Sequence, residues 1–391
     1  MLNRSDFLLR DDIVFLNHGS FGACPRPILD EQRRWIERLE AQPVLYFREA
    51  IDNLLHARNT LAAYVGAEGK DLVYVTNSTF GVNVTAHALS HVLSDGDEIC
   101  TTDHEYGACD RAWEQYCVSK GVRYVRAEIP MPAPSLEDIA EIIWSKVTPR
   151  TKVLFLSHIT SPTGLRLPVE ELCARARAAG ILSVIDGSHS PGHIPLDLST
   201  LQADVYTANC HKWMCTPKGS AFLWVAPHLQ ETIIPLVVSW GAQNPVAGDG
   251  PLNVEHEFIG TRDYSPFLSV PFALNLMAQQ PWDRAQEHGR GVTQYAHDAL
   301  VAIPGVQSMR VVGHDPLLQM ATVILPEDVN TDHMKQWLYT ERAIEVVVHR
   351  WLNVPILRCS AHLHTQRHDI DALERAVRDY LTDSSFRESS L

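Results

Sequence analysis

The middle of the chain carries a series of short apolar runs. Those at 71–76, 98–102, 153–157, 181–186, 204–208 and 220–225 are of strand length, with no charge in their interiors. Segments of crossover length separate them. One, a helix-like stretch with Glu170, Leu172, Ala174 and Ala176, stops at Gly180. Continuous apolar strands alternating with crossovers predict a mainly parallel sheet in an α/β fold, with functional residues at strand ends. From about residue 285 the pattern changes to a strand at 321–325, a helix over 332–340, a strand-rich stretch at 344–357 and a closing helix over 369–381. A length of 391 residues exceeds one ordinary core. The expected division is a large α/β domain over 16–284 and a smaller α+β domain formed by 1–15 with 285–391. No internal repeat or low-complexity linker interrupts the chain, and 130–134 reads as a loop.

Composition narrows the classes. A hydrophobic content of 45% with 20% charged residues is that of a globular chain. The net charge of −14, with no basic run to offset it, argues against a nucleic-acid partner. Residues 1–6 lack the apolar core of a signal peptide, and no uncharged apolar stretch reaches the roughly 18 residues of a membrane helix. The eight cysteines, among them Cys100, Cys109, Cys117, Cys210 and Cys215, lack metal-ligand spacing. The expectation is reduced thiols in a cytoplasmic protein, no membrane contact and no metal.

The chemistry concentrates in Ile185-Asp186-Gly187-Ser188-His189 and in His211-Lys212, which each follow a strand-like run. Lysine is scarce: Lys70, Lys120, Lys146, Lys152, Lys212, Lys218 and Lys335 complete the set. A lysine and a carboxylate delivered by strand ends of one α/β sheet are what pyridoxal 5′-phosphate requires. The lysine holds the cofactor aldehyde as a Schiff base, and the aspartate keeps the pyridine nitrogen protonated so that the ring accepts the electrons of a substrate carbanion. Each residue alone has a bland reading, Lys212 as a structural lysine and Asp186 as a helix cap.

The run from Val184 to Lys212 resembles the cofactor-binding core of class V aminotransferases, a family of fold type I pyridoxal phosphate enzymes. Phe15-Leu16-Asn17-His18-Gly19-Ser20-Phe21-Gly22 and His158-Ile159-Thr160-Ser161-Pro162-Thr163-Gly164 are most similar to its isopenicillin N epimerase-like branch. The likeness extends from residue 15 to about residue 365, and it implies that the mainly parallel sheet has seven strands. It also implies that Thr79, with the Ser78 amide beside it, binds the cofactor phosphate at a helix N-terminus, where unpaired N–H groups favour an anion. An ordinary hydroxyl cap describes the same turn without a ligand. The resemblance further implies that His104 stacks on the pyridine face, with Tyr106 as the alternative. It gives His189 the cofactor's phenolic oxygen and His211 a place beside the phosphate or the lysine. Ser161 stands where many relatives carry Asn near the phenolic oxygen. Thr261, in Ile259-Gly260-Thr261-Arg262, matches a threonine that reaches a partner's phosphate across a homodimer interface. Arg358 matches the arginine that holds the substrate α-carboxylate, and Asn17 and His18 fall in the substrate-binding segment.

The resemblance also sets a limit. Cysteine desulfurases carry a nucleophilic cysteine before the carboxylate arginine, but the corresponding stretch Glu341–Glu345 has none. The expected reaction is therefore removal of a Cα proton from an amino acid by Lys212, with Asp186 and His104 assisting. It ends in epimerisation or in loss of a β-sulfur group. Transamination and desulfuration are the alternatives. A silent cofactor-binding regulator is the non-enzymatic one, although no DNA-binding module precedes Asn17.

Overall fold

Every apolar run read from the sequence forms a strand. In chain order the strands are β1 (Val14–Phe15), β2 (Leu72–Val75), β3 (Glu98–Thr102), β4 (Arg123–Ala127), β5 (Thr151–Ser157), β6 (Leu182–Asp186), β7 (Val205–Asn209), β8 (Ala221–Val225), β9 (Gln307–Ser308), β10 (Met320–Ile324), β11 (Ile344–Glu345), β12 (Val347–Trp351) and β13 (Val354–Ser360). They are seen in a computed structural model that describes residues 2–243, 250–309 and 318–383.

Seven strands form one sheet in the order β2-β8-β7-β6-β5-β3-β4. The run from β7 to β4 is parallel throughout, and β8 is antiparallel to both its neighbours. Two reversals leave β2 pointing with the parallel strands, so β2 through β7 end on one edge, where β8 begins. Side chains alternate between two cores. Leu72 and Tyr74 pack with Leu54, Ile139 and Leu172 on one face. Val73 and Val75 pack with Val82, Leu89 and Trp113 on the other. Helices on both faces explain why these strands read as continuous apolar runs. The sheet is therefore mainly parallel and seven-stranded, as expected of fold type I.

A second, antiparallel sheet has the order β12-β13-β10-β9. Its own core joins Val323 and Leu357 to Leu373 and Val377 of the helix Arg367–Thr382. At the other end of the chain, β1 pairs in parallel with β11, and Leu16 packs into that core. Periodicity alone missed β4, an edge strand carrying Arg123 and Arg126 whose polar pattern follows from having one open side. It also missed the helices Arg26–Ala41 and Pro43–Val65, the latter closed by Gly66 in a left-handed conformation.

Two glycines set the approach of elements to the functional edge. At Gly81 a Cβ would lie 2.2 Å from Thr207 Oγ1, so the helix Ser78–Leu89 can press against β7 only without a side chain there. Gly22 has φ +71°, and its Cβ would lie 2.1 Å from the His211 carbonyl and 2.8 Å from that of Lys212. Gly22→Ala therefore combines left-handed strain with a backbone clash, and we expect a loss of roughly 2 kcal/mol or more. Urea unfolding measures it, and an unchanged midpoint would show that this close approach does not exist.

Candidate active site

The strand ends surround a cavity of about 340 Å³, within the range of small-ligand sites. Thr79 comes from the turn after β2, Tyr106 from that after β3, Ser161 from that after β5, and Asp186 with His189 from the end of β6. His211 and Lys212 follow β7, and Lys218 precedes β8. Ser20 and Phe21, in the one-turn helix His18–Phe21, close the opening.

Lys212 is buried, and its Nζ lies 3.0 Å from Nε2 of His189. Burial pulls the amine down to about 8; Asp186 opposes the shift and Arg358 adds to it. His189 lies on the neutral side, since burial, Lys212 and Arg358 all depress its titration. Its Nδ1 accepts from the Trp213 indole at 3.2 Å. Asp186 Oδ1 accepts from the Ser188 amide at 3.0 Å and its hydroxyl at 2.5 Å, while Cys109 Sγ lies 3.4 Å from Oδ2. The aspartate is thus fixed at the strand end.

The other end of the cavity suits an anion. The helix Ser78–Leu89 has no acidic residue in its first turn, and Asn77 caps it by accepting from the Phe80 amide. Asn209 holds the Ser78 amide at 2.9 Å. Thr79 lines the cavity, whereas Ser78 lies behind it, its Oγ buried without a hydrogen-bond partner among the described residues. Burial draws His211 down to about 4. Nδ1 of the neutral ring donates to the Ser220 carbonyl at 3.0 Å, which leaves Nε2 as an acceptor. A buried amine, a fixed carboxylate and this helix N-terminus fit the three ends of pyridoxal phosphate.

Arg358 projects from β13 behind Ser20 and Ser161. It donates to the Ser20 hydroxyl at 3.1 Å and to the Ser161 carbonyl, and the Ser161 hydroxyl lies 3.4 Å away. Its Nε is buried with no hydrogen-bond partner among the described residues. Burial lowers it to about 10, and no carboxylate bonds to it among the described residues. A guanidinium met only by neutral oxygens retains capacity for a carboxylate.

Other residues singled out in the sequence lie elsewhere. His104 does not line the cavity: its Nδ1 lies 2.8 Å from Thr163 Oγ1, its Nε2 3.4 Å from the Ile129 carbonyl, and its ring packs on Trp351 at 4.2 Å. Tyr106, 47% exposed, occupies the cavity wall instead. Asn17 is bound to Glu345 and Ser20, outside the lining residues. His18 is buried beneath Lys212, with Nε2 3.0 Å from its carbonyl and Nδ1 3.1 Å from His364. Thr261 is exposed and away from this chain's own cavity. Sequence reasoning missed Ser20, Phe21, Trp213 and Lys218 as parts of the site. Ser20 and Phe21 lay inside a quoted motif, but which side of its single turn faced inward was not readable.

All eight cysteines are buried. Burial pushes the thiols of Cys24, Cys100, Cys117, Cys173 and Cys359 up to about 12, and that of Cys109 well above its usual range. The stretch 341–345, without a thiol, ends a helix and enters β11, so it is paired with β1. Distant parts of the chain also bring His18, Cys215 and His362 within 4.8 Å of one another. The two imidazoles stack at 4.3 Å, only 13° from parallel, and His18 already uses both nitrogens. Metal–imidazole bonds lie in the ring plane, so the arrangement is a stack of neutral rings.

Comparison with known proteins agrees with this geometry. The family model described as aminotransferase class-V matches residues 24–373. The chain is 32% identical to the isopenicillin N epimerase of Amycolatopsis lactamdurans, over 96% of this chain and 97% of that one. An L-cysteine desulfhydrase of Arabidopsis thaliana is 28% identical over 74% of this chain and 64% of its own. In three dimensions it is similar to the cysteine desulfurase CsdA of Escherichia coli, with TM-score 0.80, 23% identity and 97% of each chain covered. It is similar also to the cystine C–S lyase C-DES in complex with cysteine persulfide, with TM-score 0.81, 20% identity and coverage of 94% and 98%. From its strand-end lysine and aspartate to its near full-length match, this chain belongs to the class-V aminotransferase family.

Proposed function

We propose that this pyridoxal phosphate-dependent enzyme removes the Cα proton of a small α-amino acid and then either reprotonates it or expels a β-sulfur group. The class and the cofactor follow from the family; the individual roles are our reading. The observation that carries it is that the buried Lys212 amine lines a cavity whose wall residues Ser20 and Ser161 are backed by Arg358, a buried guanidinium bonded only to neutral groups among the described residues. When bound, the cofactor supplies an electron sink for the charge left at Cα.

The chain supplies the rest. Arg358 would grip the α-carboxylate in two parallel hydrogen bonds and so turn the Cα–H bond toward Lys212. Lys212 Nζ would take the proton; an amine titrating near 8 rather than above 10 is a competent base at neutral pH. Asp186 would hold the pyridine nitrogen, and Thr79 with the amides of its helix would hold the phosphate. His189 would donate to the phenolic oxygen, with Ser161 near it and His211 beside the phosphate. Epimerisation needs an acid on the opposite face, and Tyr106 rather than His104 is the side chain at the cavity for that role. The proposal further takes the enzyme as a cytoplasmic homodimer, Thr261 of one subunit completing the phosphate site of the other. Residues 16–284 would form its cofactor-binding domain, and 1–15 with 285–391 the smaller one. No helix among the described residues is long and apolar enough to cross a membrane.

Lys212→Ala is expected to remove the visible band of the lysine-bound cofactor and to lower turnover by at least about a thousandfold. Asp186→Ala should keep the cofactor with a loss of similar order. A lysine-bound band persisting in Lys212→Ala would take the lysine out of the mechanism.

In deuterium oxide the enzyme should exchange the Cα hydrogen of its preferred amino acid. A cysteine-type substrate should yield pyruvate with no persulfide on the protein, because every thiol is buried. Tyr106→Phe should abolish inversion while sparing exchange and elimination. Mass-spectrometric detection of a persulfide during turnover would return the chain to desulfurase chemistry.

Mixing Lys212→Ala and Thr261→Glu proteins tests the shared site. One hybrid site then has both residues intact, and partial recovery of activity is expected. Full activity of the wild type as a monomer in sedimentation would sink the arrangement.

A further inference from the structure

The hydrogen bonds around Lys212 determine where a proton must sit. An indole N–H only donates, so the 3.2 Å contact from Trp213 makes Nδ1 of His189 an acceptor. A neutral imidazole carries its one proton on the other nitrogen, Nε2, and that atom faces Lys212 Nζ at 3.0 Å. Two hydrogens cannot share this contact. The Nε2–H must therefore donate to the lone pair of the amine, a bond that an ammonium cannot accept. We infer that Trp213 is a positioning residue, which fixes the tautomer of His189 and through it favours the neutral, nucleophilic form of the Lys212 nitrogen.

The surroundings keep this relay in place. Trp213 is fully buried, and its ring packs at 4.0 Å on His193. His193 is itself fixed by the His189 carbonyl on Nδ1 and the Gln319 amide on Nε2. The indole thus cannot swing away without losing its ring contacts with His18, His193 and His362 and its hydrogen bond to His189. The charged and titratable groups facing the amine are Asp186 from the end of β6, Arg358 from β13, Cys109 from the helix Gly107–Tyr116, and His189 and His211 on either side. Asp186 favours the ammonium, while Arg358 and burial favour the amine. The His189 hydrogen bond falls on the side of the amine and is the one contribution that a remote residue can switch. Without the indole, His189 is free to move its proton to Nδ1 and to accept at Nε2 from an ammonium.

The inference rests on reading Lys212 as the reactive lysine, but its test needs neither substrate nor cofactor. Full-length protein stripped of cofactor and labelled with nitrogen-15 histidine gives the tautomer directly by NMR, with His189 assigned through His189→Asn. The expected result, in buffer alkaline enough to neutralise the amine, is a protonated Nε2 and a bare Nδ1. A proton on Nδ1 in the wild type overturns the inference, whatever becomes of any Trp213 variant. The second readout is the pH profile of Lys212 acetylation, followed by mass spectrometry. In Trp213→Phe the midpoint should rise by about one unit, which leaves about tenfold less free amine at neutral pH. An unchanged midpoint in a folded variant overturns the inference equally. Failure of proton exchange or elimination would instead count against the proposed reaction and leave this relay standing.

Discussion

The site depends on an imbalance of buried charge. Lys212 and Arg358 are both withdrawn from water, and Asp186 is the carboxylate that pulls against the desolvation of the lysine. Glu105 lies nearby, but burial pushes it up to about 8 despite hydrogen bonds from Ser157 and Thr102, so much of it is neutral at physiological pH. Lys218 adds a further cation at the cavity wall. A protein leaves cations so poorly answered only where an anion is to come. A phosphate at the Ser78–Leu89 helix and a substrate carboxylate at Arg358 would supply that charge at two separated points, and their separation orients what lies between them.

That imbalance explains which features could be read in advance. The sheet was legible because its strands are buried on both faces, and Asp186 and Lys212 were legible because strand ends put them at one edge. The turn after β3 was not. His104 and Tyr106 sit two positions apart, and the choice between them is made by Thr163, Ile129 and Trp351, which belong to other elements. Likewise His18 is turned away from the cavity by His364 and His362 from the far end of the chain. Local pattern finds the loop, and long-range contacts decide which side chain of the loop faces the cavity.

Ser161 links the cavity to Arg358. It lines the cavity, and its backbone carbonyl accepts from the Arg358 guanidinium. One residue thus joins the wall nearest the expected phenolic oxygen to the arginine expected to hold substrate. The absence of a thiol near 343 fits the same picture, because that stretch is tied into β11 against β1 rather than left free to swing over the cavity.

A lysine that carries a cofactor and then moves a proton must be fixed at its base and free at its tip. Here the base is held three ways: by the close approach of Gly22 to its carbonyl, by His18 Nε2 on that carbonyl, and by the neighbouring indole of Trp213 buried among histidines. Among the described residues the tip hydrogen-bonds only to His189, and that bond breaks at small cost. The histidines beneath are all pushed toward the neutral form by burial, so they pack as uncharged rings and add no positive charge under an amine that must lose its own. Fully charged, the same stack would repel itself and draw in water. Neutrality of the rings is therefore what lets a polar cluster serve as a rigid floor, and rigidity there is what confines motion to the single nitrogen that has to move.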